Sequence, residues 1–332
     1  MKINKLGRTG MEISQIGLGG LFVASFASQF EDAKNAVSRA LDLGITHIDT
    51  APTYGNSEEV LGKIFADEKR PFTLSTKLGG RPQPFHPQDK KDLRASLTES
   101  LRLMGKDHVD LLMIHEPDRP REYDWWTNRL TVDGPVLEFL DEVKKEGLVR
   151  FIGIGGTTTA EMAHVCSTGK FDVVLTAFNY SILYREAEQE VLPAAKAAGM
   201  GIIVGSPLQQ GALARRFDKQ LDDPNCFWLS KVRKAQFKEL YKLVDESGIP
   251  LPEMGIRFVL SNPDVACVLM GAKAPNEVEQ NVKAANAGPL PADILKRLDE
   301  IYAMLPYRPM GEPLGLGWVL GDPASYPGQG QL

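Results

Sequence analysis

Cysteine is scarce in this sequence. Three residues in 332, Cys166, Cys226 and Cys267, stand far apart with no CxxC pair. That excludes a disulfide framework and a zinc knuckle, and it fits a reducing compartment. No run of about 18 apolar residues occurs, so no membrane contact through a spanning helix is expected. The opening MKINKLGRTGMEISQ lacks the apolar stretch of a secretory signal, and the expected location is the cytoplasm. Blocks of basic charge are also missing. The 38 Lys+Arg are outnumbered by 43 Asp+Glu, giving a net charge of -5, which argues against nucleic acid as a partner. The last absence is a glycine spacing. Gly17-Leu-Gly19-Gly20 and Gly153-Ile-Gly155-Gly156 both miss the G-x-G-x-x-G turn that cradles a dinucleotide in an open, doubly wound sheet.

What is present is globular: 43% hydrophobic and 24% charged, in a chain long enough to bury a sizeable core. Lys2–Leu6 and Met11–Ser14 around Gly7-Arg-Thr-Gly10 read as a β-hairpin. Then one unit repeats, a short apolar run followed by a helical pattern. Strands are expected at Ile16–Gly19, Ile45–Thr50, Phe72–Lys77, Val109–His115, Phe151–Gly155, Val173–Asn179, Gly201–Ser206 and Val265–Gly271. Helices are expected at Asp32–Leu43, Glu58–Ala66, Lys90–Met104, Pro135–Glu146, Ala160–Ser167, Glu188–Ala198, Lys231–Glu246 and Asn276–Ala287, with an extra one at Leu251–Leu260. Eight alternating units of this length favour a closed (β/α)8 TIM barrel over a doubly wound sheet. The barrel is expected to occupy 1–304 as one domain. Long loops follow strands 4 (Glu116–Gly134, with Tyr123, Trp125 and Trp126) and 7 (Pro207–Ser230, with Phe227 and Trp228). The tail 305–332 has five prolines and six glycines, so no helix is expected there, though Tyr307, Trp318 and Tyr326 argue against a purely solvated segment.

In such a barrel reactive groups collect at the C-terminal strand ends. These ends carry Asp49, Tyr54 five residues on, Lys77 and His115. Asp49 shares strand parity with Ile45 and His47, Lys77 with Thr73 and Ser75, and His115 with Leu111 and Met113, so each set can face the interior. A phenol near pKa 10 is a poor acid or base at neutral pH, and a neighbouring ammonium lowers that value. A carboxylate beyond the lysine holds it charged, and an imidazole beside the tyrosine can bond a carbonyl oxygen. The set suits proton transfer to an oxygen that has just received hydride. Each residue has a plainer reading: Asp49 as a loop organiser, Tyr54 as a packed aromatic, His115 as a core histidine. Lys77 is the hardest to explain by packing, because a buried lysine needs a partner. His86, His108 and His164 show no metal-ligand spacing, and no metal is expected. The cysteines read as small core residues.

Ile48-Asp49-Thr50-Ala51-Pro52-Thr53-Tyr54-Gly55, Ser75-Thr76-Lys77 and Asp110-Leu-Leu-Met-Ile-His115 resemble the aldo-keto reductase superfamily. So do Leu6-Gly-Arg-Thr-Gly10, Gly17-Leu-Gly19-Gly20, Leu148-Val-Arg150-Phe-Ile-Gly-Ile, Gly205-Ser206-Pro207-Leu208 and Gln280-Asn281. The resemblance spans about Lys2 to Ala287. It implies a (β/α)8 barrel, an NAD(P)(H) cofactor and carbonyl–alcohol interconversion, with Tyr54 as proton donor amid Asp49, Lys77 and His115. It implies cofactor contacts at Gly20, Asp49, Asn179, Ser206, Pro207, Leu208, Gly211, Gly271, Lys273, Glu277, Gln280 and Asn281. Gly155-Gly156 stands where many members have Ser-Asn, and Phe178-Asn179-Tyr180-Ser181 is similar to the sugar-oxidising branch of L-galactose and D-threo-aldose dehydrogenases. Gly271-Ala272 stands where NADPH-dependent members have Lys-Ser, and Glu277 where they often have arginine. Lys273 favours NADP(H), while Glu277 leaves NAD(H) open. A sugar or other polyhydroxylated carbonyl compound is the expected substrate. Its pocket is expected to include Phe22, Tyr54, His115 and Glu116, with Trp125 and Trp126 stacking on the sugar. Three alternatives stay open: a general aldehyde reductase, a Schiff-base enzyme with Lys77 as nucleophile, and a nucleotide-binding redox-sensing subunit with little turnover. A monomer or small homo-oligomer is expected.

Overall fold

The computed structural model describes residues 1–120, 123–224, 226, 229–309, 312, 316 and 320. Its elements run β1 (Ile3–Lys5), β2 (Glu12–Ser14), β3 (Ile16–Gly19), α1 (Phe30–Asp42), β4 (His47–Asp49), α2 (Ser57–Phe65), β5 (Thr73–Leu78) and α3 (Lys90–Met104). They continue with β6 (Val109–His115), α4 (Pro135–Lys145), β7 (Val149–Gly156), α5 (Thr159–Ser167), β8 (Val173–Ala177), α6 (Val191–Ala197) and β9 (Gly201–Gly205). The remainder are α7 (Asp218–Asp222), α8 (Lys231–Ser247), α9 (Leu251–Leu260), β10 (Cys267–Gly271), α10 (Pro275–Asn286) and α11 (Ala292–Ala303).

Strands β3 to β10 pair in parallel, each with the next, and β10 closes onto β3. This is the expected eight-stranded barrel. β1 and β2 form the antiparallel hairpin, in register Asn4 with Ile13. The hairpin has a packing role. Leu6, Met11 and Ile13 join Leu111, Val173 and Ile203 in a hydrophobic cluster separate from the larger one. That larger cluster lies between sheet and helices and takes the opposite strand faces, such as Leu112, Ile114, Ile152 and Ile154. Period-2 alternation of two apolar faces is what a barrel strand buried on both sides requires.

Helix ends follow local chemistry. Asp89 caps α3 by accepting the Lys91 N–H at 2.8 Å, and Gly105 ends it in the left-handed region at φ 62. Ser230 caps α8 through the Arg233 N–H. Gly62 lets α2 meet α3, since a Cβ there would lie 1.9 Å from the Leu103 carbonyl oxygen.

Several expectations need correction. The sixth helix starts later than Glu188, after a 3-10 turn at Glu186–Glu188, because Pro193 tolerates only the first turn of a helix. Helices α7 and α11 stand outside the sequence expectation. In the tail, Leu316 and Leu320 have helical backbone and are fully buried, against the expectation of no helix. Burying these two leucines outweighs the local preference of a composition rich in glycine and proline. Tyr307 is 63% exposed. Trp318, Tyr326, Phe227 and Trp228 lie outside the described residues. Among the described residues no helix is long and apolar enough to cross a membrane.

Candidate active site

Strand register brings the polar groups together. Asp49 lies opposite Ser75, two residues before Lys77. Lys77 lies opposite Met113, two residues before His115. Each step of two preserves parity, so all three side chains share the interior side while the barrel's shear carries them along its rim. Tyr54 joins from the turn after β4, where its N–H donates to the Ala51 carbonyl and its own carbonyl accepts from Ser57 N–H.

Lys77 Nζ donates to Asp49 Oδ2 at 2.7 Å and to the Thr50 carbonyl at 2.9 Å. The pair is enclosed, with Lys77 1% and Asp49 2% exposed. Lys77 Nζ stands 4.7 Å from the Tyr54 ring centre. The Tyr54 and His115 rings meet edge to face, 5.9 Å apart, and His115 Nδ1 lies 3.2 Å from Thr53 Oγ1. Burial pulls the Lys77 ammonium down, but the Asp49 carboxylate and Tyr54 outweigh it and the net shift is upward. An ammonium bound to a buried carboxylate is a poor nucleophile, which argues against the Schiff-base alternative.

The Tyr54 phenol corrects an expectation. Burial pushes its pKa up, and the opposing pull of Lys77 only offsets part of that. Desolvation penalises phenolate more than one ammonium, itself neutralised by Asp49, can repay. The phenol therefore keeps its proton at neutral pH, the form a proton donor needs.

His115 is depressed well below the usual imidazole value, first by burial, then by the positive charges of Lys77 and Arg119. His47 is also lowered by burial, against the pull of Asp49 and Asp110. Unfolded, both rings take a proton near pH 6.5. Folded, they take it only at lower pH, so the unfolded chain binds more protons in between. Stability should then fall as pH drops below about 6.5, by up to about 1.4 kcal/mol per pH unit for each ring. Thermal unfolding between pH 7.5 and 5 is expected to show a falling Tm, with a shallower slope in His115→Gln. An identical slope in that variant would refute the assignment.

A cavity of about 800 Å³ begins at Asp49 and Tyr54, passes Gly19, Leu21 and Phe22, and ends on α10. Ser206, Pro207, Leu208 and Gly211 line its middle. Gly271, beside Gly19 and Phe22, also lines it, as do Lys273 and, on α10, Glu277, Gln280 and Asn281. Leu21, Gln210 and Arg215 also line it and were outside the sequence expectation. Arg215 carried a signal, being a cation four residues beyond Gly211 in a loop where cofactor contacts are expected.

Two expected contacts lie elsewhere. Gly20 is a close-approach glycine, since a Cβ would sit 2.7 Å from the Asp49 carbonyl oxygen, and it does not line the cavity. Asn179 Nδ2 donates to the Thr157 carbonyl, and Asn179 also lies off the cavity wall. Glu116 pairs with Arg119 at 3.3 Å beside His115, and neither Glu116 nor His115, both expected in the substrate pocket, is on the wall of this cavity.

The tryptophans overturn the stacking expectation. Trp125 is 0% and Trp126 7% exposed. Trp125 packs on Phe85 and Tyr123, both 5.6 Å away, and Trp126 on Phe171 at 6.4 Å. An indole buries so much apolar area that a rim position with aromatic neighbours becomes core.

The family model for the aldo/keto reductase family matches residues 15–303. The chain belongs to this family. It is an oxidoreductase. It is 31% identical over 327 residues to D-threo-aldose 1-dehydrogenase of a Pseudomonas species, covering 88% of this chain and 94% of that protein. It is 27% identical over 327 residues to L-galactose dehydrogenase of Arabidopsis thaliana, covering 95% and 98%. The solved holo form of an aldo-keto reductase from Bacillus halodurans superposes with a TM-score of 0.73 at 26% identity, covering 91% of this chain and 96% of that one.

Aldo-keto reductases use NAD(P)H, and the cavity of this reductase fits such a group. Ser206, Gln209 and Gln210 take left-handed φ of 52, 50 and 52, and Gly211 follows at 107. The Gln209 and Gly211 N–H groups are taken by the Ser206 and Leu208 carbonyls, so the group on this wall that suits a pyrophosphate is the Arg215 guanidinium. A Cβ at Gly211 would meet nothing within 4 Å, so the wall stays open for a ligand. Its volume lies within the usual range for cofactor pockets.

Proposed function

We propose that this reductase interconverts the carbonyl and alcohol forms of a polyhydroxylated substrate of aldose type, with Tyr54 as proton donor and acceptor and NAD(H) as the preferred nucleotide. The observation that carries the reading is the cavity running from Tyr54 and the buried Lys77–Asp49 pair to the first turns of α10. The nucleotide supplies or takes the hydride. Tyr54 gives the proton to the alkoxide oxygen in reduction, and His115, neutral at pH 7, holds that oxygen through a ring nitrogen. Lys77, charged by Asp49, steadies the phenolate left behind.

The family's habit and Lys273 favour NADP(H), whereas the surroundings of Lys273 favour NAD(H). The Lys273 N–H donates to Glu277 Oε2 at 2.8 Å, and Lys273 Nζ lies 5.4 Å from the centre of the Phe22 ring. A carboxylate here repels a 2′-phosphate and accepts from ribose hydroxyls. NADH should bind more tightly than NADPH, and Glu277→Arg should move the ratio toward NADPH by about tenfold or more. Fluorescence titration with both nucleotides measures it. Equal affinities in the wild type would remove the preference, and tighter binding of NADPH would return the choice to NADP(H).

The substrate class draws on the names of the two dehydrogenase relatives and on Thr53, Glu116 and Arg119 around His115. Sites that bond hydroxyls discriminate strongly against analogues lacking them. A panel of aldoses, alditols and simple aldehydes, followed at 340 nm with each nucleotide, tests the class. Higher kcat/KM for simple aldehydes than for every sugar would make it a general aldehyde reductase. No turnover on any member would favour the nucleotide-binding subunit.

A further inference from the structure

Beneath the Lys77–Asp49 pair a chain of hydrogen bonds continues down the barrel interior. Asp49 uses Oδ2 for Lys77 and accepts from Ser75 Oγ on Oδ1 at 2.7 Å. Ser75 Oγ is also 3.3 Å from His47 Nε2. His47 Nδ1 lies 2.9 Å from Thr73 Oγ1, whose hydroxyl donates to the Thr46 carbonyl at 3.0 Å. His47 and Ser75 are both 0% exposed.

Counting protons shows what the chain needs. Each hydroxyl has one to give. With the Thr73 proton on Thr46 and the Ser75 proton on Asp49, both ring nitrogens of His47 must donate to complete the chain. A neutral ring donates from one only. With that proton on Nδ1, facing Thr73, the chain is one proton short at Ser75, which then divides its single proton between Asp49 and His47. A protonated ring completes it and commits Ser75 to Asp49.

We infer that His47 is a positioning residue that, by gaining a proton, sets through Ser75 how strongly Asp49 holds Lys77, and so how acidic Tyr54 is. The inference rests on the Tyr54 reading and deepens it. Asp49 faces His47 along β4, Lys77 from β5 and Asp110 from β6. Cys267 of β10 stands across Gly17, where an added Cβ would meet both Cys267 Sγ and His47 Cδ2. A proton on His47 draws on the Asp49 charge. Lys77 is then less occupied by Asp49 and favours the Tyr54 phenolate more, which makes Tyr54 a better donor. The rate of reduction should therefore rise as pH falls through the His47 titration.

Two measurements on the full chain test this. Histidine-labelled NMR follows the ring, with the His47 resonance identified by its loss in His47→Gln. Its titration midpoint should move by about half a pH unit or more in Ser75→Ala and in Asp49→Asn. The pH profile of kcat for glyceraldehyde reduction with NADH should lose its rise toward acid in both His47→Gln and Ser75→Ala. At the acid end kcat falls by about tenfold, while KM and nucleotide affinity change by less than about threefold. A purely structural role would lower activity without changing the shape of the profile. Ser75→Ala keeps the test open if His47→Gln does not fold. An unmoved titration in Ser75→Ala, or a profile in His47→Gln that superimposes on wild type, overturns the inference. The NMR arm needs no turnover, so a Tyr54→Phe enzyme of wild-type kcat would sink the Tyr54 reading separately.

Discussion

Tyr54→Phe is expected to lower kcat by about a hundredfold to ten-thousandfold, the usual contribution of a positioned proton donor. The ring survives, so its edge contact with His115 and its place over Lys77 persist. Only the hydroxyl goes. The cavity beyond Tyr54 is untouched, and nucleotide affinity should stay within about twofold. Burial already holds the phenol protonated at neutral pH, so the loss should appear across the whole physiological range rather than at one limb. Steady-state kinetics in the reductive direction measures it. A near wild-type kcat would remove Tyr54 from the chemistry and leave the cavity as a binding site alone.

Lys77→Met should damage both catalysis and stability. Methionine is close in length and apolar, so the cost is electrostatic. Asp49, 2% exposed, loses its cation and keeps only the Ser75 hydroxyl on its other oxygen. Removing one partner of a buried pair typically costs about 3–5 kcal/mol, because the remaining charge stays uncompensated. The Thr50 carbonyl also loses its donor. For catalysis, the phenolate left after proton transfer loses its neighbouring ammonium, and kcat should fall by about a hundredfold or more. Residual activity should need higher pH in the oxidative direction, since Tyr54 then deprotonates less readily. Denaturant unfolding of Lys77→Met, Asp49→Asn and the double variant separates the effects. The double variant should lose less than the sum of the singles, since neither charge is stranded. A loss under about 1 kcal/mol in Lys77→Met would mean that water or a proton compensates Asp49 and that the pair is not the clamp described.

Much of the site could be read along the chain because strand alternation is a local property. Asp49 and His115 end their strands and Lys77 lies one residue from the end of its own, each on the parity of the interior face, and a parallel sheet keeps that parity between neighbours. The helix bounds at Lys90–Met104 and Leu251–Leu260 were legible for a similar reason, since caps and apolar periodicity act within a few residues. The errors arose where distant segments compete. Trp125 and Trp126 sit in a polar loop beside acidic and basic residues, which suggested a sugar platform. Phe85 and Phe171, remote in sequence, turned them into core. Glu312 shows the same in the tail. It is 3% exposed and pairs with the fully buried Arg233, 79 residues earlier, an arrangement no local pattern announces.

By itself, then, the sequence determined the alternation of strands and helices, the closed barrel as the arrangement that buries both strand faces, and the identity of the polar groups at the strand ends. These follow from periodicity, which depends on the backbone alone. Tertiary structure decided the rest. It set the direction of the Tyr54 shift, because desolvation depends on everything packed around the phenol. It brought the Glu277 carboxylate onto the Lys273 backbone at the far end of the cavity. It also joined Thr73, His47, Ser75 and Asp49 into one chain across two strands, because hydrogen bonds need register as well as composition.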